Sequence, residues 1–390
     1  MEIKNLKRAA QRISKAIKNK ERIILYGDAD LDGTASVIIL KETIANLGGE
    51  VAAVYFPDRE KEGYGLNSSA LEHLRKFSPA LLILLDCGIS NFEETEAAKK
   101  LGFEVAIIDH HVPLEKLPKA KIVVDPKQKG DKGFKDYAAA GLAFKLSEAL
   151  LKEKLGDSLK GNFLELAALA TIADMMPETD ENKLIVDEGI FHLEQTFRPG
   201  LRVFLDADEI KNMGDVRQRT QEIISFLNIV DPTQDHLNGT YLILSASSVD
   251  EARSLLSGLA AKREEKRAQV REVTSQVQEK VVQKPEQKIV FEGGSFWPVA
   301  LLGSVASRIC SSQGKPTFIF SQKSQESRGA VRTGSDVDAV ELMKKCAKHL
   351  LGFGGHPRAA GFLVKNENLE EFKQCLLRNY EIFTKVRKNK

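Results

Sequence analysis

The residues most able to do chemistry are acidic and imidazole side chains in the first half of the chain. Asp28, Asp30 and Asp32 stand at alternate positions after the apolar run Ile23-Ile24-Leu25, and Gly33 follows them. Alternate strand positions share a face. The spacing therefore predicts three carboxylates crowded at one strand end, with Gly33 as the sharp turn into a helix over 34–47. Like charges this close repel and would partly protonate unless a cation neutralises them. A calcium loop of EF-hand type needs a Glu six residues after its glycine, and Ile39 stands there. Further donors follow in Asp86-Cys87-Gly88, in Asp109-His110-His111, and in Asp174 at an apolar helix end. Carboxylates mixed with imidazoles suit manganese or magnesium, with zinc or iron as further options. So many oxygen donors can hold two ions about 3.5–4 Å apart, and phosphoester hydrolysis is the natural use of such a pair. No Ser-His-Asp order, Walker lysine loop or dinucleotide glycine fingerprint competes.

These residues need elements to place them. Ile23–Leu25, Val51–Tyr55, Leu81–Leu85, Val105–Ile108 and Ile122–Val124 read as strands, with helices over 34–47, 67–76 and 91–101 between them. Nearly continuous apolar strands alternating with helices predict a parallel sheet covered on both faces. Such sheets bind ligands beyond the carboxyl ends of their strands, where the three Asp-containing motifs fall. Residues 2–20, Ala138–Lys154 and Asn162–Met175 read as helices, and 178–248 are less legible. A charged helix from Val249 to about Lys284 reads as a solvated connection. A second, smaller α/β unit follows, with strands at Lys288–Phe291 and Thr317–Phe320 and helices at Val299–Ser311 and Val337–Lys348. It ends in the glycine-rich run from Gly352 to Gly361, where His356 and Arg358 could meet phosphate or sugar, and in a basic tail after Lys385 that reads as frayed. The expected division is 1–248 catalytic, 249–285 connecting helix and 286–390 substrate-binding.

The 390 residues are 42% hydrophobic and 29% charged, the make-up of a globular protein with sizeable cores. A net charge of +2 leaves any nucleic-acid surface to local clusters. Cys87, Cys310, Cys346 and Cys375 lie far apart with no C-x-x-C pair, and read as reduced thiols of a cytoplasmic protein. Neither a signal-peptide core nor a membrane span is evident.

Taken together, Asp28-x-Asp30-x-Asp32-Gly33, Asp86-Cys87-Gly88, Asp109-His110-His111 and Ala173-Asp174 resemble the four motifs of the DHH phosphoesterase superfamily. Gly354-Gly355-His356-x-x-Ala359-Ala360-Gly361 resembles the motif of its associated DHHA1 domain. Within the superfamily the first motif resembles RecJ-like exonucleases specific for single-stranded DNA. So do Arg198-Pro199-Gly200-Leu201, the long helix, Val305-Ala306-Ser307-Arg308 and Gly329-Ala330-Val331-Arg332-Thr333.

The resemblance implies an N-terminal DHH domain, a long connecting helix and a DHHA1 domain. It implies that Asp30 and Asp86 hold one ion with Asp28 near it, and that Asp32, Asp86, His110 and Asp174 hold the other, Asp86 bridging. Mn2+ is the implied ion, two per site, with Mg2+ as substitute. Asp109 would orient His110, and His111 would face the scissile phosphate. Arg308, Arg332, Gly354, Gly355, His356 and Arg358 would grip substrate across a cleft between the domains. The implied activity is stepwise hydrolysis of single-stranded DNA, 5′ to 3′, with a replication or repair protein as possible partner. The alternatives are a relative acting on short oligoribonucleotides, pAp or cyclic dinucleotides, and a non-catalytic replication scaffold, in which metal carboxylates are lost. Three departures stand out. Tyr26 replaces a histidine that many relatives carry. An Asn-Ala-x-Gly-Arg segment has only poor matches at Leu227-Asn228-Ile229 and Leu237-Asn238-Gly239. An OB-like domain, which long relatives carry after DHHA1, is not expected.

Overall fold

The computed structural model describes residues 3–114, 116–228, 235–334 and 336–388, in two compact units, Met1–Ala261 and Lys262–Lys390. In the first, α1 (Leu6–Lys18) leads into a sheet of β1 (Ile23–Gly27), β2 (Ala53–Tyr55), β3 (Ala80–Leu85), β4 (Phe103–Ile108) and β5 (Ile122–Val124). The strand order is β2-β1-β3-β4-β5 and every pairing is parallel. The strands are apolar except for Glu104 of β4, which pairs with Arg12, because both faces are covered. Ile23, Leu25, Leu81, Ile83 and Ile108 join one core with α2 (Leu31–Asn46). The alternate residues Ile24, Tyr26, Leu82, Leu84 and Ile107 join another with α3 (Ser68–Leu74) and α4 (Phe92–Lys100).

The first motif is not strand. β1 stops at Gly27, Asp30 caps α2 by accepting from Gly33 N–H, and Asp32 lies in the first helical turn. Helix capping displaces the expected strand alternation because a carboxylate before a helix satisfies one of its orphan amides. Nor is Gly33 a turn residue. It is helical, and a Cβ there would lie 2.3 Å from the Asp28 carbonyl oxygen. Its requirement is close approach, not backbone freedom.

Helices α5 (Ala139–Leu151) and α6 (Asp157–Ala173) extend the first core. The less legible region is helical: α7 (Asp180–Glu194), α8 (Pro199–Leu205), α9 (Asp208–Lys211), α10 (Val216–Leu227) and α11 (Gly239–Leu244). Residues 229–234, including part of the polar stretch before Gly239, lie outside the described residues. Pro199 opens α8 at a position that needs no N–H. Gly200 lets α8 meet α11, since a Cβ would lie 1.9 Å from Ile243 O. Buried Arg198 sets Nη1 2.7 Å and Nη2 3.0 Å from the two Glu42 carboxylate oxygens, and Nε 3.4 Å from buried Glu165.

Helix α12 (Val249–Val282) contains the boundary between the units. It is not solvated throughout. Ala252 is buried in the first core, and Val270, Val273, Val277 and Val281 form an apolar stripe in the second unit. That unit holds β6 (Val290–Gly294), α13 (Val299–Gln313), β7 (Thr317–Gln322), β8 (Glu326–Arg332), α14 (Ala339–Lys344), β9 (Gly352–His356), β10 (Ala359–Lys365) and α15 (Leu369–Lys388). Its sheet order is β6-β7-β8-β10-β9, with β6 parallel to β7 and the remaining pairs antiparallel. The tail read as frayed continues α15 to Lys388.

Cys346 and Cys375 form a disulfide, with Cα atoms 5.8 Å apart. The expectation of reduced thiols throughout is corrected for this pair. Their sequence separation of 29 hides a proximity created by packing in the second core. Cys87 and Cys310 are free thiols.

Candidate metal centre

Each donor is set by the end of a regular element. Asp28 follows β1, and its N–H donates to Leu85 O at 3.2 Å, where β1 and β3 finish side by side. Asp32 receives the first amides of α5, from Ala139 N–H to Oδ2 and Ala140 N–H to Oδ1, both at 2.7 Å. A helix N-terminus favours the carboxylate there. Asp86 follows β3 with φ 61°, a left-handed conformation that non-glycine residues rarely adopt. Asp109 follows β4. Its Oδ1 accepts from His110 N–H at 2.7 Å and stands 2.8 Å from His111 Nδ1, and its Oδ2 accepts from Ile89 N–H at 2.9 Å. Asp174 caps the carboxyl end of α6.

These ends converge. The donor atoms of Asp32, His110 and Asp174 lie within 4.8 Å of one another, as do those of Asp28, Asp30 and Asp86. His110 Nδ1 stands 2.7 Å from Tyr137 O. A carbonyl can only accept, so Nδ1 carries the proton and Nε2 of the neutral ring presents a lone pair. That Nε2 lies 3.5 Å from Asp32 Oδ2, 3.1 Å from Asp86 Oδ1 and 3.6 Å from Asp174 Oδ2. Burial, and then His111, hold His110 well below the ordinary histidine range. For Asp32, burial and the charges of Asp174 and Asp30 push the carboxyl well up, and burial with Asp32 and Asp30 does the same for Asp86. Asp86 Oδ1 is buried without a hydrogen bond. Lone pairs facing lone pairs in a buried pocket fit a divalent cation.

The ring of His110 is oriented by Tyr137 O rather than by Asp109, whose carboxylate instead holds the His111 ring. Burial opposes protonation of His111, and Asp109 overcomes it, raising the imidazole to about 9. Tyr26 takes no part in the acidic cluster. It packs on the opposite core, stacked on Tyr55, and donates to Gly65 O at 2.8 Å.

Sequence reasoning missed four contributors. Arg59 Nε lies 2.9 Å from Asp28 Oδ1, and its Nη2 contacts Asp28 Oδ2 and lies 2.9 Å from Asp30 Oδ2. Tyr64 Oη donates to Asp86 O at 2.9 Å and stands 3.1 Å from His111 Nδ1. Both belong to the segment after β2, and the strand-end rule applied to β2 would have found them. Buried Asn238 donates to Thr34 Oγ1 at 2.8 Å and Ala29 O at 3.2 Å, and Asn228 Oδ1 accepts from Leu31 N–H at 3.3 Å. The poor motif matches thus include two asparagines that pin the first acidic loop.

In the second unit, strand register sets Arg332 opposite Ala359, and Ala359 opposite His356. Arg332 Nε donates to Ser307 Oγ on α13 at 3.1 Å, beside exposed Arg308. Arg358 is exposed in the turn between β9 and β10, and its carbonyl accepts from Thr333 N–H at 3.2 Å. Gly354 is open, whereas Gly355, at φ 126°, would drive a Cβ to 2.5 Å from Ala359 O. The sheet therefore gathers Arg332, His356 and Arg358 at one end.

The model of the DHH family, N-terminal domain, matches residues 22–171, and that of the DHHA1 domain matches residues 286–380. The chain carries a DHH domain and a DHHA1 domain. This DHH chain is 34% identical over 384 residues to the single-stranded-DNA-specific exonuclease RecJ of Bacillus subtilis, covering 96% of itself and 48% of that protein. It is 31% identical to RecJ of Thermus thermophilus, covering 95% of itself and 54% of that protein. It thus spans about half the length of these curated relatives. Among solved structures, exonuclease RecJ bound to manganese is similar at TM-score 0.76 and 28% identity, over 97% of this chain and 95% of that one. RecJ from Thermus thermophilus in complex with Mn2+ is similar at TM-score 0.81 and 27% identity, over 97% of this chain and 55% of that one. Among the described residues, no helix is long and apolar enough to cross a membrane.

Proposed function

We propose that this DHH protein is a metal-dependent exonuclease on single-stranded DNA. The observation that carries the reading is the lone pair of His110 Nε2 directed at Asp32, Asp86 and Asp174, in a chain similar to exonucleases of that specificity. Asp32, Asp86, His110 and Asp174 would hold one divalent ion, and Asp28, Asp30 and Asp86 a second. Manganese is the first choice and magnesium the substitute. A bound divalent ion supplies Lewis acidity toward a phosphate oxygen and lowers the pKa of water. The remaining work falls to this chain's own groups. His111, charged through Asp109, attracts the scissile phosphate and can hold a proton for the leaving oxygen at Nε2, because Nδ1 is engaged by Asp109 and Tyr64. Arg308, Arg332, Gly354, Gly355, His356 and Arg358 bind substrate phosphates, which carry most of the affinity for a single strand. We assign the direction 5′ to 3′ and a preference for DNA over RNA, and place the activity in the cytoplasm with the cell's DNA.

End-labelled single-stranded DNA and RNA with manganese test the reading. A ladder of mononucleotide steps from the 5′ end of DNA is expected. Degradation that survives a 5′ phosphorothioate block but stops at a 3′ block would reverse the direction. Exclusive cleavage of short oligoribonucleotides would move the protein to a small-substrate class.

A further inference from the structure

Arg59 places a guanidinium on one of the two groups of donors and not on the other. Its contacts engage both oxygens of Asp28 and Oδ2 of Asp30. Asp28 Oδ1 also accepts from Ala29 N–H at 2.7 Å, so both lone pairs of that oxygen are used. Asp30 gives its other oxygen to Gly33 N–H at 3.1 Å. The Asp28–Asp30–Asp86 group therefore already contains a cation supplied by the chain. Asp32 instead accepts from backbone amides, which bring partial charge only, and it faces a neutral imidazole. Arg59 sits beyond β2 with 32% of its side chain exposed, and its guanidinium carbon lies 6.0 Å from the Tyr64 ring centroid. It can leave the carboxylates toward solvent without unpacking a core.

We propose that Arg59 is a displaceable internal cation of the Asp28–Asp30 pair, so that the two ion positions fill in order. The Asp32–His110–Asp174 position fills first. The Asp28–Asp30–Asp86 position fills second and more weakly, because its ion must expel the guanidinium. The inference rests on reading both groups as ion sites. A single charge facing an incoming divalent ion across a few ångströms is worth on the order of a factor of ten or more, even with strong screening. Loss of substrate-independent order in ion loading, rather than loss of hydrolysis, is the signature of Arg59 acting in this way.

The test is a Mn2+ titration of the full chain without substrate, with free ion followed by electron paramagnetic resonance. The wild type should bind in two steps separated by about tenfold or more, and Arg59→Gln should tighten the second step by a similar factor. The 15N-labelled arginine Nε–H resonance of Arg59, followed with Mg2+, should hold still through the first equivalent and shift through the second. That measurement decides the question on wild-type protein if the variant fails to fold. Two equal steps in the wild type, a weaker second step in Arg59→Gln, or an unmoved resonance at saturation would each overturn the proposal. No Mn2+ binding at all would overturn the metal reading itself, which keeps the two failures distinct.

Discussion

His110 Nδ1 lies 2.7 Å from the carbonyl oxygen of Tyr137. The contact fixes the tautomer before any ion arrives, so Nε2 needs no deprotonation to act as a donor. Burial and neighbouring charges push the carboxyls of Asp32 and Asp86 up, which favours their protonated forms when no ion is bound. Binding of Mn2+ should therefore release protons, and more of them as the pH is lowered. Calorimetry in buffers of different ionisation enthalpy measures the number. Release that does not change with pH would contradict the raised carboxyls.

Asp86→Ala and Asp174→Ala should lower hydrolysis by about a thousandfold or more, the scale of losing a main source of transition-state stabilisation. Thermal unfolding in chelator should not fall, because each change removes one of several crowded carboxyls whose mutual proximity opposes folding when no ion is bound. A chelated wild type should be equally inactive. Near-normal turnover in either variant with Mn2+ would remove that residue from the ion-binding set.

Tyr64→Phe keeps the ring and removes the hydroxyl that bridges Asp86 O and His111 Nδ1. A loss of about 1 kcal/mol in stability is expected, with turnover reduced about tenfold through a less firmly held His111. Mn2+ stoichiometry should be unchanged. An unaltered kcat would show that Asp109 alone suffices to orient the ring.

Glu165 gives a pH dependence away from the ion sites. Burial raises its carboxyl from 4.5 to about 7 against the pull of Arg198. Between those values the native state holds a proton that the unfolded chain has released, so stability falls as pH rises through the window, by about 3 kcal/mol in all. Glu165→Gln should flatten that slope, and Arg198 keeps Glu42 as its partner. Unfolding midpoints of both proteins across the window check the sign.

In the second unit, Arg332→Ala should weaken binding of single-stranded DNA and reduce the slope of log K against log salt by about 0.7, one phosphate contact. Fluorescence anisotropy over a salt series measures both quantities. Mn2+ affinity should not change.

The donors were legible because each follows an apolar strand or closes an apolar helix, and strand ends are where such sheets bind ligands. The local geometry of Asp28, Asp30 and Asp32 was not, because the same spacing suits alternate strand positions and a capped helix start. Arg59 and Tyr64 escaped for a simpler reason. The strand before them, β2, was read, but an arginine and a tyrosine in the loop after it do not make a cluster of metal-donor residue types. Strands β9 and β10 were read only as a glycine-rich run. Gly352, Gly354 and Gly355 carry no intrinsic strand preference, and pairing with distant β8 through β10 decides their conformation. The short helices between Asp180 and Leu244 have little periodicity to read, since their packing depends on single close approaches such as Gly200 against Ile243.

The order β2-β1-β3-β4-β5 puts the three-residue strands β2 and β5 at the rims and the strand ends that carry the acidic cluster on β1, β3 and β4. Rim strands fray first, and short ones leave little edge for another chain to pair with. The interior strands are bonded on both sides, so their amides exchange with solvent only when most of the sheet opens. Partial opening at the β2 rim would therefore loosen the segment that carries Arg59 and Tyr64 while leaving the strands that carry Asp28, Asp86 and Asp109 closed.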